Sequence, residues 1–333
     1  MRLINGYRVS QCIYVAVELG VFDLIEERAR TVDELADTIQ CHAESLYRVL
    51  RLLADSGLVA EGPSRYFAMT RIGAQLGNRA TGSPAALAKL VLHQFCWEPW
   101  AFLLETVRTG RTAFEHVHGV SFFDYLNRHP LEARLFDRAM SENAERDCKH
   151  IAECCDLSGI DTIVDIGGGQ GFLLASLLHA NQAVRGVLFD LPEVVERGTP
   201  ALEGNDLSER TRIVSGDFLR AVPEGAGGYL LRHILHDWDD ANAHQILWNC
   251  RRACAAPGKV FVIERLADTD GPAAHSSLAS EDLEMMVNVG GKERTKAEFG
   301  ALFAQAGFSI QNIVGPVSVV GHMIIEGAPA TEL

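Results

Sequence analysis

Val164-Asp-Ile-Gly-Gly-Gly-Gln-Gly171 runs an apolar strand into a turn too tight for side chains, and Asp190 follows nineteen residues after the last glycine. Asp161-Thr-Ile-Val-Asp-Ile166 supplies the strand. Glycines at 167, 168, 169 and 171 let the backbone reverse sharply and let a ligand approach it closely. Phe172-Leu-Leu-Ala-Ser-Leu-Leu178 reads as a helix packing back on a sheet. Gly186-Val-Leu-Phe-Asp190 reads as the next strand, ending in a carboxylate able to accept both hydroxyls of a ribose. The whole unit suits an adenosine-containing cofactor.

Spacing selects among such cofactors. A dinucleotide fingerprint is G-x-G-x-x-G, whose third glycine permits close packing of helix on strand. Counted from Gly167 and Gly169, that position is Phe172. The chain carries D-x-G-x-G-x-G from Asp165 instead, the pattern of S-adenosylmethionine (AdoMet) sites, where no pyrophosphate is seated. Leu191 after the acid also offers no charge for a 2'-phosphate. A nicotinamide dehydrogenase is thereby disfavoured.

Outward from this motif, strands at 161–166, 186–190, 211–214, 228–235, 259–264, 308–314 and 319–326 alternate with helices over most of their span. That order predicts an α/β fold, a mostly parallel Rossmann-like sheet with helices on both faces, binding ligand beyond the carboxyl ends of its strands. The start of the chain is different. Val9 to Ile25 has helical apolar spacing, Thr31-Val-Asp-Glu34 is a capping box, and Ala43 to Ser56 makes another helix. A hairpin over residues 58–69 completes a winged-helix module. We divide the 333 residues into a mostly α winged-helix domain (1–83), a helical region rich in large aromatics (84–155) and a cofactor-binding domain (156–333).

Composition narrows the partners. The formal net charge is −14, and residues 1–80 hold nine Arg and no Lys against ten Asp plus Glu. Such a balance argues against a nucleic-acid partner and makes the winged helix a packing or dimerisation module. No apolar stretch reaches bilayer-spanning length, so no membrane partner is expected. The eight cysteines include no C-x-x-C pair, which fits reduced thiols and a cytoplasmic location. Cys250 and Cys254, one helical turn apart, read as buried thiols rather than a zinc site.

The other strand ends carry candidate chemistry. Ser215-Gly216-Asp217-Phe218 offers an acid for an adenine amino group and a ring to stack on it, although Asp217 also suits a turn or helix cap. The run Tyr229–Leu235 leads to His236-Asp237-Trp238, Val260–Glu264 ends in an acid, and Gly290-Gly-Lys-Glu-Arg-Thr295 carries Glu293. Two carboxylates beside an imidazole raise its pKa and fix its ring, which makes His236 a candidate general base. His233 and His236, three apart on a strand, point to opposite faces, so a metal pair is discounted and no metal is expected.

These motifs together resemble AdoMet-dependent O-methyltransferases of the plant caffeate/flavonoid and hydroxyindole type and their bacterial natural-product-tailoring relatives. VDIGGGQG, FDLP at 189–192, GDF at 216–218, HILHDWDD at 233–240, VIER at 262–265 and GGKERT at 290–295 carry the likeness, which covers nearly the whole chain. The resemblance implies a class I methyltransferase sheet, a homodimer joined through the N-terminal domain, and metal-independent methylation of a hydroxyl on a small aromatic molecule. It implies His236 as base with Glu264 and Glu293 beside it. It implies AdoMet contacts from Gly167, Gly169, Asp190, Gly216, Asp217, Phe218 and Arg232, and acceptor contacts from Phe136, Met140, Met286 and Asn288. Many plant members hold lysine where this chain has Arg232, so a planar fork replaces a point charge. The region 84–130 matches poorly and leaves the acceptor open.

Three rival functions differ in what they require. Decarboxylation or hydroxylation on the same fold uses AdoMet as a charge and needs no phenol-deprotonating base; methylation of a ring nitrogen or a carboxylate needs no strong base. A DNA-binding regulator needs a basic face, which this chain lacks. The ribose acid gives a first test: Asp190→Ala weakens AdoMet binding strongly in calorimetry, and unchanged affinity would move the cofactor elsewhere.

Overall fold

The computed structural model describes residues 3–77, 83–203, 205–268 and 272–330. The chain forms two compact units, Met1–Glu98 with Pro130–Arg146, and Pro99–His129 with Asp147–Leu333, so that residues 84–155 are shared between them.

The first unit opens with helices Gly6–Glu18 and Val21–Glu27, which replace the single helix read over 9–25. Gly20, at φ +68°, breaks the run in a conformation that glycine adopts without strain. The Thr31 capping box forms as expected: its hydroxyl accepts from the Glu34 N–H while Glu34 accepts from the Thr31 N–H. Helices Val32–Ile39 and Ala43–Asp55 pack on a small antiparallel sheet of β1 (Arg30–Thr31), β3 (Tyr66–Met69) and β2 (Val59–Gly62), in that order. Phe22, Leu35, Leu50, Leu53 and Phe67 are buried between them.

The second unit is built on seven strands: β4 (Thr162–Ile166), β5 (Arg185–Asp190), β6 (Thr211–Ser215), β7 (Gly228–Arg232), β8 (Lys259–Glu264), β9 (Phe308–Val314) and β10 (Met323–Pro329). Their order is β6-β5-β4-β7-β8-β10-β9; β4 to β8 are parallel, and β10 runs antiparallel to both β8 and β9. The central strands read as continuous apolar runs because both faces are covered. Tyr229, Leu231, Val260 and Val262 share one core with Ile246, Leu247, Phe299 and Phe303 from helices Asp240–Ala253 and Lys296–Gln305. The buried Tyr229 hydroxyl is placed to donate to the Pro223 and Ala253 carbonyls, at 2.6 and 3.0 Å.

Strand order reverses at β4, so the crevice beyond its carboxyl end is the switch point where such sheets bind ligand. Two strands depart most from the sequence reading. The last strand begins at Met323 rather than 319, because residues 317–322 close a turn through the Val317 N–H and the His322 carbonyl, 2.7 Å apart. More consequentially for the site, β7 ends at Arg232 rather than 235. Among the described residues, no helix is long and apolar enough to cross a membrane.

Candidate active site

The glycine turn sits at the switch point. Gly167, Gly169 and Gly171 have φ of +66°, +55° and +83°. A Cβ on Gly167 would lie 2.4 Å from the Ile234 side chain, and one on Gly168 the same distance from Leu188. Asp190, at the end of β5, accepts the Gly169 N–H through Oδ2 at 2.8 Å and the Leu191 N–H through Oδ1 at 2.7 Å. The ribose candidate therefore also holds the turn in shape. Beneath it, Asp165 is buried, and that burial together with neighbouring Asp190 pushes its carboxyl up to about 7.

At the next strand end, Gly216 lies where a Cβ would strike the Phe189 ring at 2.6 Å. Asp217 Oδ1 accepts the Leu219 N–H at 2.9 Å, so the turn role foreseen for it is present. The Phe218 ring stands edge-on to Trp238, with centroids 5.8 Å apart. Arg232 ends β7 with Nε and Nη2 buried and without a hydrogen-bond partner. A buried guanidinium left so calls for an anionic or strongly accepting group from a ligand. Open backbone at the switch point, a ribose-capable acid and a guanidinium with two buried nitrogens lacking hydrogen bonds together fit AdoMet, whose amino-acid end carries a carboxylate.

His236 is not on a strand. After β7 the chain curls: His233 takes φ +55°, and Leu235–Asp237 form a single 3₁₀ turn. The cause is Glu264 at the end of β8, whose Oε1 accepts the N–H groups of Ile234, Leu235 and His236 at 3.0, 2.9 and 3.4 Å. From the other side, the fully buried Arg294 donates to the Leu235 and Trp238 carbonyls at 2.6 and 2.7 Å and to Asp240 at 3.0 Å. Gly291 makes room for this clamp, since a Cβ there would fall 1.9 Å from the His236 carbonyl oxygen. The curl brings the His233 and His236 rings to a centroid distance of 5.1 Å, and His233, His236 and Glu264 offer ligand atoms within 4.8 Å of one another. The opposite-faces argument against a metal pair is thus overturned, because it assumed strand geometry where the backbone has left the strand.

His236 Nδ1 lies 2.9 Å from Glu293 Oε1 and 3.6 Å from Glu264 Oε2, while Nε2 lies 3.6 Å from Asp237 Oδ1. Burial alone would lower the imidazole pKa. Glu264, Asp237 and Glu293 outweigh it and raise it to about 10. Burial pushes Glu264 up to about 7 and Asp237 up to about 6, with His236 opposing both shifts. His233 is held well below the ordinary histidine value, first by burial and then by the charges of His322 and Arg232.

The predicted trio His236, Glu264 and Glu293 therefore comes together, and the cofactor candidates line adjacent strand ends. Met286 and Asn288 lie on the π-helical turn Met285–Val289, which packs against the His236 turn. Phe136 and Met140 are one turn apart on helix Pro130–Cys154, in the other unit. Sequence reasoning missed Asp237 and Arg294, although both stand inside quoted motifs. It also missed Glu284, which accepts from the Trp100 indole and the Asn288 amide.

Comparison with known proteins identifies the family. Residues 100–309 match the O-methyltransferase domain model and residues 1–77 the O-methyltransferase dimerisation domain model. The chain belongs to the AdoMet-dependent O-methyltransferase family. It is 36% identical to a phenazine O-methyltransferase, PhzM, of Lysobacter antibioticus, over 99% of this chain and 95% of the relative. The solved structure of the mitomycin 7-O-methyltransferase MmcR aligns with TM-score 0.92 at 36% identity, covering 98% of this chain and 96% of that one. NcsB1, an O-methyltransferase of neocarzinostatin biosynthesis solved with S-adenosyl-L-homocysteine and 1,4-dihydroxy-2-naphthoic acid, aligns with TM-score 0.86 at 32% identity, covering 99% and 98%. The Gly290-Gly-Lys-Glu-Arg-Thr295 run thus acquires a structural reading: Gly291, Glu293 and Arg294 all bear on the His236 turn.

Two outcomes follow from this geometry. Gly291→Ala displaces the His236 turn and lowers single-turnover methylation by about 100-fold, the scale of an ångström-sized misplacement, with AdoMet affinity retained in calorimetry. In the cofactor-free protein, His236 titrates by NMR near 10. Because that folded value is raised, its stabilising contribution is complete below about 6.5 and fades as pH climbs towards 10. The stability gap between native protein and His236→Ala narrows over the same window in denaturant titrations.

Proposed function

We propose that the enzyme methylates a phenolic hydroxyl of a small aromatic metabolite, with His236 taking the phenol's proton. The observation that carries this reading is the imidazole fixed on Glu293 at 2.9 Å, with Glu264 and Asp237 each 3.6 Å from one of its ring nitrogens. A phenol has a pKa near 10, so about 0.1% is ionised at neutral pH. With Nδ1–H donated to Glu293, Nε2 is the atom that accepts the proton. AdoMet, when bound, supplies an electrophilic methyl group on a positively charged sulfur. Asp190 would hold its ribose, Asp217 and Phe218 its adenine and Arg232 its carboxylate, against backbone opened by Gly167, Gly169 and Gly216. Phe136, Met140, Met286 and Asn288 would contact the acceptor.

An imidazole with pKa about 10 already carries a proton at neutral pH. Flanking acids that raise the proton affinity of the imidazole thus also leave its site occupied. The surplus of three carboxylates over one imidazolium suits entry of a cationic cofactor. A second positive charge in the site then lowers the His236 pKa towards neutrality, because like charges disfavour each other. His236 becomes a base in the loaded enzyme. Decarboxylation, hydroxylation and methylation of a ring nitrogen or a carboxylate need no strong base and make less use of this arrangement. The N-terminal match supports a homodimer, and the 1,4-dihydroxy-2-naphthoic acid bound in NcsB1 supports a planar hydroxylated ring system.

Positioning contributes roughly 7–11 kcal/mol in such reactions, and a general base about 10²–10⁴-fold. His236→Ala accordingly loses two to four orders in single-turnover rate by that general-base estimate while keeping cofactor affinity. An unchanged rate would remove the base assignment.

A further inference from the structure

Glu284 ends helix Pro272–Glu284 at the point where the chain widens into the π-helical turn Met285–Val289. Single π-helical turns occur frequently at functional sites. Here the turn brings the Asn288 amide back onto Glu284: Nδ2 donates to Oε1 at 2.6 Å, while the Trp100 indole donates to Oε2 at 3.2 Å. Burial pushes the Glu284 carboxyl up, and these two bonds oppose the shift. Among the described residues no lysine, arginine or histidine pairs with this acid.

The orientation of Asn288 follows from this contact. An ionised carboxylate only accepts, so the amide NH₂ must face Glu284 and the carbonyl must face away. That carbonyl oxygen is buried without a hydrogen-bond partner, on a residue only 3% exposed. Buried acceptors are seldom left unmade. A carboxylate lacking a counter-charge and a carbonyl lacking a donor thus stand side by side. The same segment continues through Gly291, against the His236 carbonyl, to Glu293 on the His236 ring.

Building on the acceptor chemistry proposed above, we propose that Glu284 and the Asn288 carbonyl form a subsite for an amino group on the acceptor, so that the preferred acceptor is an aminated hydroxyarene. A hydroxyl brings one donor and satisfies one of these acceptors. An amino or ammonium group brings two or three and satisfies both, adding charge complementarity when protonated. Glu284 acts here in recognition, and His236 retains the proton transfer.

The test uses protein loaded with S-adenosylhomocysteine and two probes, an aminonaphthol and its parent naphthol, titrated by calorimetry. The native protein binds the aminonaphthol about 10- to 100-fold more tightly, the scale of a charge-assisted hydrogen bond. Glu284→Gln preserves the size of the side chain and can still hold Asn288, yet brings that ratio towards one; a purely structural role would weaken both probes alike. A native ratio near one overturns the proposal, as does a ratio that survives in Glu284→Gln. Should that variant fail to fold, the native ratio still decides. Turnover with AdoMet reports separately on the reaction: selective amine binding without methyl transfer keeps the subsite and removes the phenol reading, whereas methylation on nitrogen overturns the subsite.

Discussion

One carboxylate, Glu264, determines where the candidate base stands. Its Oε1 gathers three successive backbone N–H groups of the His236 turn, and Oε2 faces the imidazole that the turn presents. An acid ending a strand in this way does the work of a helix N-cap in trans, satisfying donors that would otherwise be orphaned in a buried place. Arg294 supplies the complementary grip on the carbonyl side, and Gly291 the clearance that both require. The histidine is held through its own backbone, and its ring is aligned by Glu293.

The electrostatics of the second unit follow from the same economy of position. Strand ends meeting at one edge place Asp165, Asp190, Asp237, Glu264 and Glu293 in or beside a buried crevice, and several are pushed towards neutral pKa values by burial. Concentrated acid would be unfavourable without compensation. The imidazolium of His236 offsets part of it, as does the Arg232 guanidinium acting on Asp165. A site of this sign is prepared for a cation and resists a dinucleotide phosphate, in keeping with the pattern of its glycine turn.

Much of this was legible in the chain. The glycine turn, the ribose acid and the strands of the parallel sheet depend on local signals: apolar runs, turn residues and the spacing between them. The trio His236, Glu264 and Glu293 was legible because each residue closes or follows a recognisable element. The path of the backbone between Arg232 and His236 was not. Tyr229 to Leu235 reads as one strand in the sequence, with Ile234 and Leu235 resuming the apolar pattern after Arg232 and His233, and nothing local announces that Glu264, distant along the chain, will pull the N–H groups of residues 234–236 out of strand geometry. The metal argument failed at that same place. Asp237 escaped notice because its side chain bears on His236 only once the 3₁₀ turn has formed.

The sequence by itself determined the glycine turn, the N-terminal helices and hairpin and the strands of the sheet, since periodicity and turn composition act over a few residues and survive without tertiary context; its motifs pointed to the family, while the division of residues 84–155 between two units was decided by tertiary packing. Only the tertiary structure decided which nitrogen of His236 meets which carboxylate, that Arg294 is a buried clamp, and that Glu284 takes the Asn288 amide and leaves its carbonyl without a donor. Those outcomes rest on contacts between segments tens to nearly two hundred residues apart, where burial strips away water and leaves each polar group to find a partner among whatever the fold has brought near.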